Sequence, residues 1–324
     1  MPELVAVDRV EIVVLVENLI DTHSSTPAHV EHEQQALLRR GIRPTSDARC
    51  CAVHGLSLLV TAHASEVTHT VLFDAGPEAY AFERNVARLG VDLGAVGAVV
   101  QSHGHWDHCG AIPTALALIR AKNGGRKVPC YVHPDMFHER GTRLANGTVR
   151  EGEAIPSTAK LIDSGAQLVS AREAQAILDD MFYVSGEIPR VTPFEAGLPD
   201  QVRRSADGHG WEKDELVRDE RYLAVKVRDK GLVVLSACSH AGIVNVLTDA
   251  RKTFAEPLHA MIGGLHLAGA NERIIPETVE GLRRFDLKCI GAGHCTGWLA
   301  LAHFHAAFGS KVVAPLAVGK RYVI

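Results

Sequence analysis

Short apolar runs recur along the chain, most of them closed by Gly, Pro, Asn or Asp, and their periods separate strands from helices. Val10–Val16 and Leu56–Thr61 read as strands. Between them, roughly Asp21 to Arg49 is a polar excursion rich in His, Ser, Glu and Arg, helical in part at Glu31–Arg40. Thr68–Phe73 is a further strand ending in Asp74-Ala75-Gly76-Pro77, which is turn chemistry. Pro77 suits a first helical turn, and Glu78–Leu89 has a helical period closed by Gly90. Val96–Gln101 and Val128–Val132 are short buried strands. Between them, a helix over Ala111–Ala121 puts Ile112, Ala115, Leu116 and Ile119 on one face, and Asn123-Gly124-Gly125 stops it.

The stretch from Pro134 to about Asp180 carries the weakest pattern, with one helix expected near Ala171–Leu178. So long a connection reads as an insertion that serves as a lid or binding loop. Beyond it, strands at Tyr222–Val227 and Leu232–Ala237 open a regular alternation. Helices are expected at Ile243–Phe254, Pro276–Arg284 and Gly297–Phe308, and strands at His259–Ile262, Leu287–Ile290 and Lys311–Ala317. Strand-rich sequence followed by alternation predicts an α/β protein with helices packed outside its sheets. No close repeat, low-complexity tract or linker divides the sequence. The expectation is one domain over residues 1–324 with a lid or insertion at about 134–180.

Composition narrows the function classes. Hydrophobic residues make up 46% and charged residues 22%, ordinary for a globular protein. A net charge of −4 gives no electrostatic reason to expect nucleic acid as a partner. It leaves room for a small anionic substrate if a metal supplies local positive charge. No basic start leads into an apolar run at the N-terminus, and no apolar stretch is long enough for a membrane helix. Seven scattered cysteines, without a CxxC pair, fit a reduced cytoplasmic setting better than a disulfide framework or a four-cysteine zinc site. Nothing in the sequence assigns the oligomeric state.

The most informative segment is Ala98-Val99-Val100-Gln101-Ser102-His103-Gly104-His105-Trp106-Asp107-His108-Cys109-Gly110. An apolar strand runs directly into four potential ligands. In extended backbone, side chains two apart face the same way, so His103 and His105 can share one ion, with Gly104 permitting a tight backbone. A turn into the next helix would bring Asp107 and His108 inward. Imidazole and carboxylate donors suit zinc, iron or manganese.

This segment resembles the H-x-H-x-D-H signature of the metallo-β-lactamase superfamily. Phe73-Asp74-Ala75-Gly76, His54-Gly55-Leu56-Ser57, Ser185-Gly186-Glu187-Ile188-Pro189-Arg190, Ser239-His240-Ala241-Gly242-Ile243, Gly263-Gly264-Leu265-His266-Leu267 and Gly293-His294-Cys295-Thr296-Gly297 are similar to its dihydropterin ribofuranosyl-aminobenzene phosphate synthase-like branch. The resemblance implies an αββα sandwich of two mixed β-sheets flanked by helices. It also implies a centre of one or two divalent ions, most simply zinc, with manganese or iron as alternatives. His103 and His105 would hold the first ion, and Asp107 and His108 the second. His54 and Arg190 would contact substrate, although Arg190 reads almost equally well as half of a surface salt bridge.

A second pattern is independent of family. Four apolar strands end in a small-residue turn and a histidine, giving His103, His240, His266 and His294. Ligand sites in α/β folds gather at the carboxyl ends of strands, so these histidines can converge. A tetrahedral catalytic ion wants three protein ligands plus water. His240 is therefore expected to complete the first site and His294 to join Asp107 and His108 at the second. His266 is a ligand or stands at the pocket edge. The place of the family's bridging aspartate reads Ser236-Ala237-Cys238-Ser239-His240, so Cys238 either ligates or is a small buried hydrophobe. Glu187 is the next ligand to consider. The expected activity is hydrolysis by a metal-activated water on a small anionic, phosphorylated or cyclic substrate, with Asp107 as the catalytic carboxylate. A lactonase or ester hydrolase, and a metal-binding sensor without turnover, are the alternatives.

Overall fold

The computed structural model describes residues 3–324. The first half of the chain contains strands β1 (Arg9–Val16), β2 (Val30–Glu31), β3 (Ser57–Ala64), β4 (Val67–Phe73), β5 (Val96–Val100), β6 (Val128–Val132), β7 (Arg140–Arg143), β8 (Val149–Glu151) and β9 (Ala166–Ser170). The second half contains β10 (Gln175–Ile177), β11 (Phe182–Val184), β12 (Gln201–Arg204), β13 (Trp211–Lys213), β14 (Tyr222–Val227), β15 (Gly231–Ser236), β16 (Leu258–Gly264), β17 (Cys289–Gly293) and β18 (Arg321–Val323). The helices are α1 (Glu33–Arg39), α2 (Ala79–Leu89), α3 (Trp106–Cys109), α4 (Ile112–Lys122), α5 (Thr158–Ser164), α6 (Ile243–Phe254), α7 (Ile275–Arg283) and α8 (Trp298–Phe308).

Eight strands form one sheet in the order β2-β18-β1-β3-β4-β5-β6-β9, and six form a second in the order β10-β11-β14-β15-β16-β17. Both sheets are mixed. β1, β3 and β4 pair antiparallel, whereas β4, β5, β6 and β9 run parallel. In the second sheet β14 and β15 are antiparallel, and β15, β16 and β17 are parallel. The central layer is built from alternate residues of both inner faces: Val10, Ile12, Val14, Val60, Val71 and Phe73 meet Phe182, Leu223, Val225, Leu235 and Ile262. Outside the first sheet, Phe82 of α2, Ile112, Ala115, Leu116 and Ile119 of α4 and Leu161 of α5 cover Leu72, Val99 and Cys130. Outside the second, α6, α7 and α8 cover Val234, Met261 and Ile290. This is the four-layered αββα arrangement. β15 is buried at all six positions because both its faces are covered, which is why it reads as a continuous apolar run rather than an alternating one.

Two expectations fail locally. Lys311–Ala317 is not a strand; only Val313 makes an isolated bridge, to Ile290 of the second sheet, and the last strand of the chain, β18, lies alongside β1 in the first. Ala171–Leu178 is not a helix. Its end forms β10, paired with the buried β11, and Leu178, Asp179 and Asp180 turn the chain at positive φ. Strand pairing across a tight turn overrides helix propensity there. The rest of 134–180 is divided. β9 extends the first sheet, and α5 packs on it, whereas β7 and β8 join β12 and β13 in a small four-stranded sheet. That small sheet is the part that borders the site.

Candidate metal centre

The parallel strands of both sheets end on the same side, and their exits carry the chemistry. After β5, the chain passes through Gln101 and Ser102 to a fully buried His103. Gly104 is needed by its surroundings: a Cβ there would lie 2.0 Å from the Met136 carbonyl oxygen and 2.5 Å from Arg140 Nη1. The Gly104 N–H donates to Asp219 at 2.8 Å, and its carbonyl accepts from Arg140 at 3.0 Å. Arg140 in turn is held by Asp214 (2.7 Å) and Asp219 (2.5 Å). The H-x-H turn is thereby clamped from both sides by a buried ion-pair network.

Hydrogen bonds decide which ring nitrogens stay free. Ser102 Oγ donates to Asp74 (2.6 Å) and accepts from His103 Nδ1 (2.8 Å), which leaves His103 Nε2 free. His105 Nε2 donates to Gln201 Oε1 at 2.8 Å, which leaves Nδ1 free, 3.0 Å from His103 Nε2. Neither ring nitrogen of His240 has a partner, although both are buried. His103, His105 and His240 bring ligand atoms within 4.8 Å of one another. Two nitrogens on one tetrahedral zinc stand about 3.3 Å apart, close to the His103–His105 spacing.

A second group lies beside the first: Asp107, His108, Cys238 and His294. His108 Nδ1 donates to Asp74 (2.8 Å), so its Nε2 faces Cys238 Sγ at 3.2 Å and Asp107 Oδ2 at 3.5 Å. His294 Nδ1 donates to Asn18 Oδ1 at 3.2 Å, and its Nε2 stands 3.2 Å from Asp107 Oδ2. Asp74, completely buried, thus ties the two groups together through Ser102 and His108. Orientation of a ligating imidazole by a carboxylate behind it is the usual support of such centres.

The His240 and His294 turns each rest on a buried acid as well. Glu220 accepts from the N–H groups of His240 (2.7 Å) and Ala241 (2.6 Å), and Glu17 accepts from that of His294. Burial raises the carboxyls of both Glu220 and Glu17 to about 7, against the pull of those N–H groups. At the ligand positions, burial and neighbouring imidazoles hold His103 and His240 well below their ordinary range, and burial with Arg140 brings His105 down to about 4. Metal ligation needs such neutral imidazoles. His108 is the opposite case: burial opposes its cation, but Asp107 and Asp74 push it up to about 9. The acidic pocket favours positive charge at this spot, which a metal would supply. The donor set, its free nitrogens and its charge therefore fit one or two divalent ions.

The remaining expected residues separate. His54 lies at the rim, with Nε2 3.5 Å from Asp107 Oδ2 and its ring 5.0 Å from that of His294. His266 places its ring 4.6 Å from that of His240. Both line a cleft of about 480 Å³, together with His105, Asp107, Cys238, His240, His294 and Cys295. Arg190 does not line it. Its guanidinium donates to the carbonyls of His240 (3.0 Å) and Leu216, so it braces the His240 turn from behind. Glu187 is exposed and pairs with Arg218. Asp74, Asn18, Gln201, Arg140 and Asp219 are the supporting residues that the sequence reading assigned no role. Of these only Asp74 had a local signal, its place in the Asp-Ala-Gly turn. Gln201→Ala should weaken metal binding at the His103–His105–His240 group by about tenfold, by freeing the His105 ring. Titration against a metal buffer measures this, and an unchanged affinity would remove Gln201 from the site.

Residues 69–165 match the β-lactamase superfamily domain. Tm1679, a metal-dependent hydrolase of the β-lactamase superfamily with a known crystal structure, shares the fold at a TM-score of 0.69 and 20% identity, covering 96% of this chain and 98% of its own. This chain has the metallo-β-lactamase fold. A 7,8-dihydropterin-6-methyl-4-(beta-D-ribofuranosyl)-aminobenzene-5'-phosphate synthase of Methanocaldococcus jannaschii is 28% identical over 261 residues, 79% of this chain and 85% of that protein. An uncharacterised protein of the same organism, MJ0448, is 29% identical over 252 residues, 77% of this chain and 86% of that protein.

Proposed function

We propose that this protein is a metal-dependent hydrolase of the metallo-β-lactamase type that acts on a small anionic, phosphorylated or cyclic molecule rather than on nucleic acid. The observation that carries this reading is the convergence of two donor groups on one cleft, with the rings of His103, His105, His108 and His294 each oriented by a hydrogen bond from behind and both ring nitrogens of His240 left free. His103, His105 and His240 would hold one divalent ion, and Asp107, His108 and His294, with Cys238 at their side, a second. When bound, such an ion supplies Lewis acidity and brings the pKa of a water ligand from 15.7 to about 7. The protein's own residues do the rest. His108 and His294 hold Asp107 well below the usual carboxylate range in spite of its burial, so it stays ionised. It therefore serves as a ligand and hydrogen-bond acceptor that orients the nucleophile, and it is too weak a base to take the proton at neutral pH. His54, beside Asp107, and His266, beside His240, both line the cleft and are placed to contact the substrate's anionic group. The acids Glu17, Asp74, Asp219 and Glu220 keep the loops in place while charge develops, as preorganised sites require.

Similarity to the M. jannaschii synthase supports a phosphorylated ribosyl or pterin-like substrate and a group-transfer variant of the same chemistry. The test is a screen of apo-protein reloaded with zinc, manganese or iron against phosphomonoesters, phosphodiesters, lactones and a ribosyl-arylamine phosphate paired with a dihydropterin. Metal-dependent turnover of a phosphorylated substrate, lost on chelation, is expected. Coupled product without hydrolysis would favour the synthase reading, and turnover of lactones alone the lactonase reading. Stoichiometric metal with no turnover of any substrate would leave a metal-binding sensor.

A further inference from the structure

Beside the two groups assigned above lies a third that they do not use in full: Cys238, His266 and Cys295, whose ligand atoms fall within 4.8 Å of one another. We propose that these three residues form a separate thiolate-rich cation site that shares Cys238 with the Asp107–His108–His294 group and selects a thiophilic ion such as Zn(II), Cd(II) or Cu(I).

The spacing of the sulfurs is the first argument. Cys238 Sγ and Cys295 Sγ are 3.4 Å apart, and both thiols are free. A disulfide requires about 2.05 Å. Two thiolates on one tetrahedral zinc, each at about 2.3 Å, stand about 3.8 Å apart. The pair is spaced for a shared ion far better than for a bond. The second argument is the third donor. His266 Nδ1 is buried and has no hydrogen-bond partner. The residue adopts a left-handed backbone (φ 44°), and Asn271 holds its carbonyl at 2.9 Å, which fixes the turn that carries the ring. The third argument is how the sulfur is received. The His266 N–H donates to Cys295 Sγ at 3.2 Å, a contact that favours a thiolate. Gly264 makes space for it: a Cβ there would lie 2.8 Å from the same sulfur.

All three residues line the same cleft as the histidine groups, so an ion has a path from solvent. Sulfur-rich donors discriminate for zinc, cadmium and cuprous ions, whereas the imidazole and carboxylate groups alongside also accept manganese or iron. Cys238 faces His108 Nε2 at 3.2 Å as well, so its thiolate would bridge the two sites. Binding displaces the two thiol protons to solvent, and the two thiolate charges offset the +2 charge of a zinc or cadmium ion.

The experiment is titration of the full-length apo-protein with Cd(II), followed by sulfur-to-cadmium charge-transfer absorption and by elemental analysis after desalting. Wild type should bind one cadmium more per chain than Cys295→Ser, whose sulfur band should fall to about half as one of two thiolates is lost. His266→Asn keeps a side chain tolerant of left-handed backbone and should retain the full band while binding that ion roughly tenfold more weakly. The His103→Ala/His105→Ala double variant should keep the band in full, which separates failure of the histidine sites from failure of this one. A wild-type protein without a sulfur band, or a folded Cys295→Ser protein with wild-type band and stoichiometry, would overturn the proposal. Unchanged cadmium affinity in His266→Asn would remove the histidine from it.

Discussion

The His103→Ala/His105→Ala double variant should lose the ion of the first group entirely and at least ~10³-fold in turnover, since Lewis-acid activation supplies several kcal/mol of the barrier reduction. The expectation rests on the 3.0 Å approach of two nitrogens that hydrogen bonds leave free for nothing else. The fold should survive, because the strand that delivers the loop is anchored elsewhere: Ser102 N–H on Asp74, Gly104 N–H on Asp219, and the Gly104 carbonyl on Arg140, which itself pairs with Asp219. Elemental analysis, circular dichroism and the substrate screen are read on the same preparation. A folded double variant with its full metal complement would reject the first group. Single variants then divide the centre. His240→Ala should empty the first group preferentially, and His294→Ala the second. If both deplete the same ion, the assignment of two separate groups fails.

Asp74 carries the second large effect. Its side chain is completely buried and accepts four hydrogen bonds, from Ser102 N (2.8 Å), Ser102 Oγ (2.6 Å), Gln101 Nε2 (3.0 Å) and His108 Nδ1 (2.8 Å). Asp74→Ala strands all four donors, at about 1–3 kcal/mol for each group left unsatisfied. Alanine at φ 58° also lacks the short polar side chain that makes left-handed backbone more tolerable for Asp or Asn. Shared relaxation keeps the sum below simple addition, and a loss of about 4 kcal/mol is expected for the metal-free protein. Urea denaturation in the presence of a chelator measures it without the linkage a bound ion would add. Asp74→Asn keeps the shape and tolerates the left-handed backbone. Its loss should appear in function instead: roughly 10–100-fold weaker metal binding at the group containing His108, whose ring loses its carboxylate. A denaturation midpoint and metal affinity equal to wild type in both variants would mean that Asp74 is a bystander.

Legibility in the sequence followed the range of the interactions concerned. β1, β4, β5, β6, α2 and α4 were each visible within a residue or two, and β3 to within three, because burial on one face or on both writes a local period into the sequence. The small sheet β13-β12-β7-β8 was not. Its strands are three or four residues long, and β7 finds β12 across some sixty residues of intervening chain. It nevertheless supplies Arg140 and Gln201, which support both histidines of the H-x-H turn. Arg190 shows the converse. Its neighbourhood in the sequence suggested a substrate contact, but its guanidinium is consumed by two backbone carbonyls behind the His240 turn.

The sequence by itself determined an α/β protein with helices packed outside its sheets, the H-x-H-x-D-H cluster and the set of histidines at strand ends. All three are written in short-range pattern: alternation, turn residues and ligand spacing along one backbone. Only the tertiary structure decided which histidines meet, which ring nitrogen each turns inward, and that Cys238 and Cys295 stand side by side with His266. Those facts depend on pairs far apart in the chain, such as Asp219 with Gly104 at a separation of 115 residues and Glu17 with His294 at 277. A buried acid can hold a distant N–H group only once the two sheets have packed, and no local propensity records that choice.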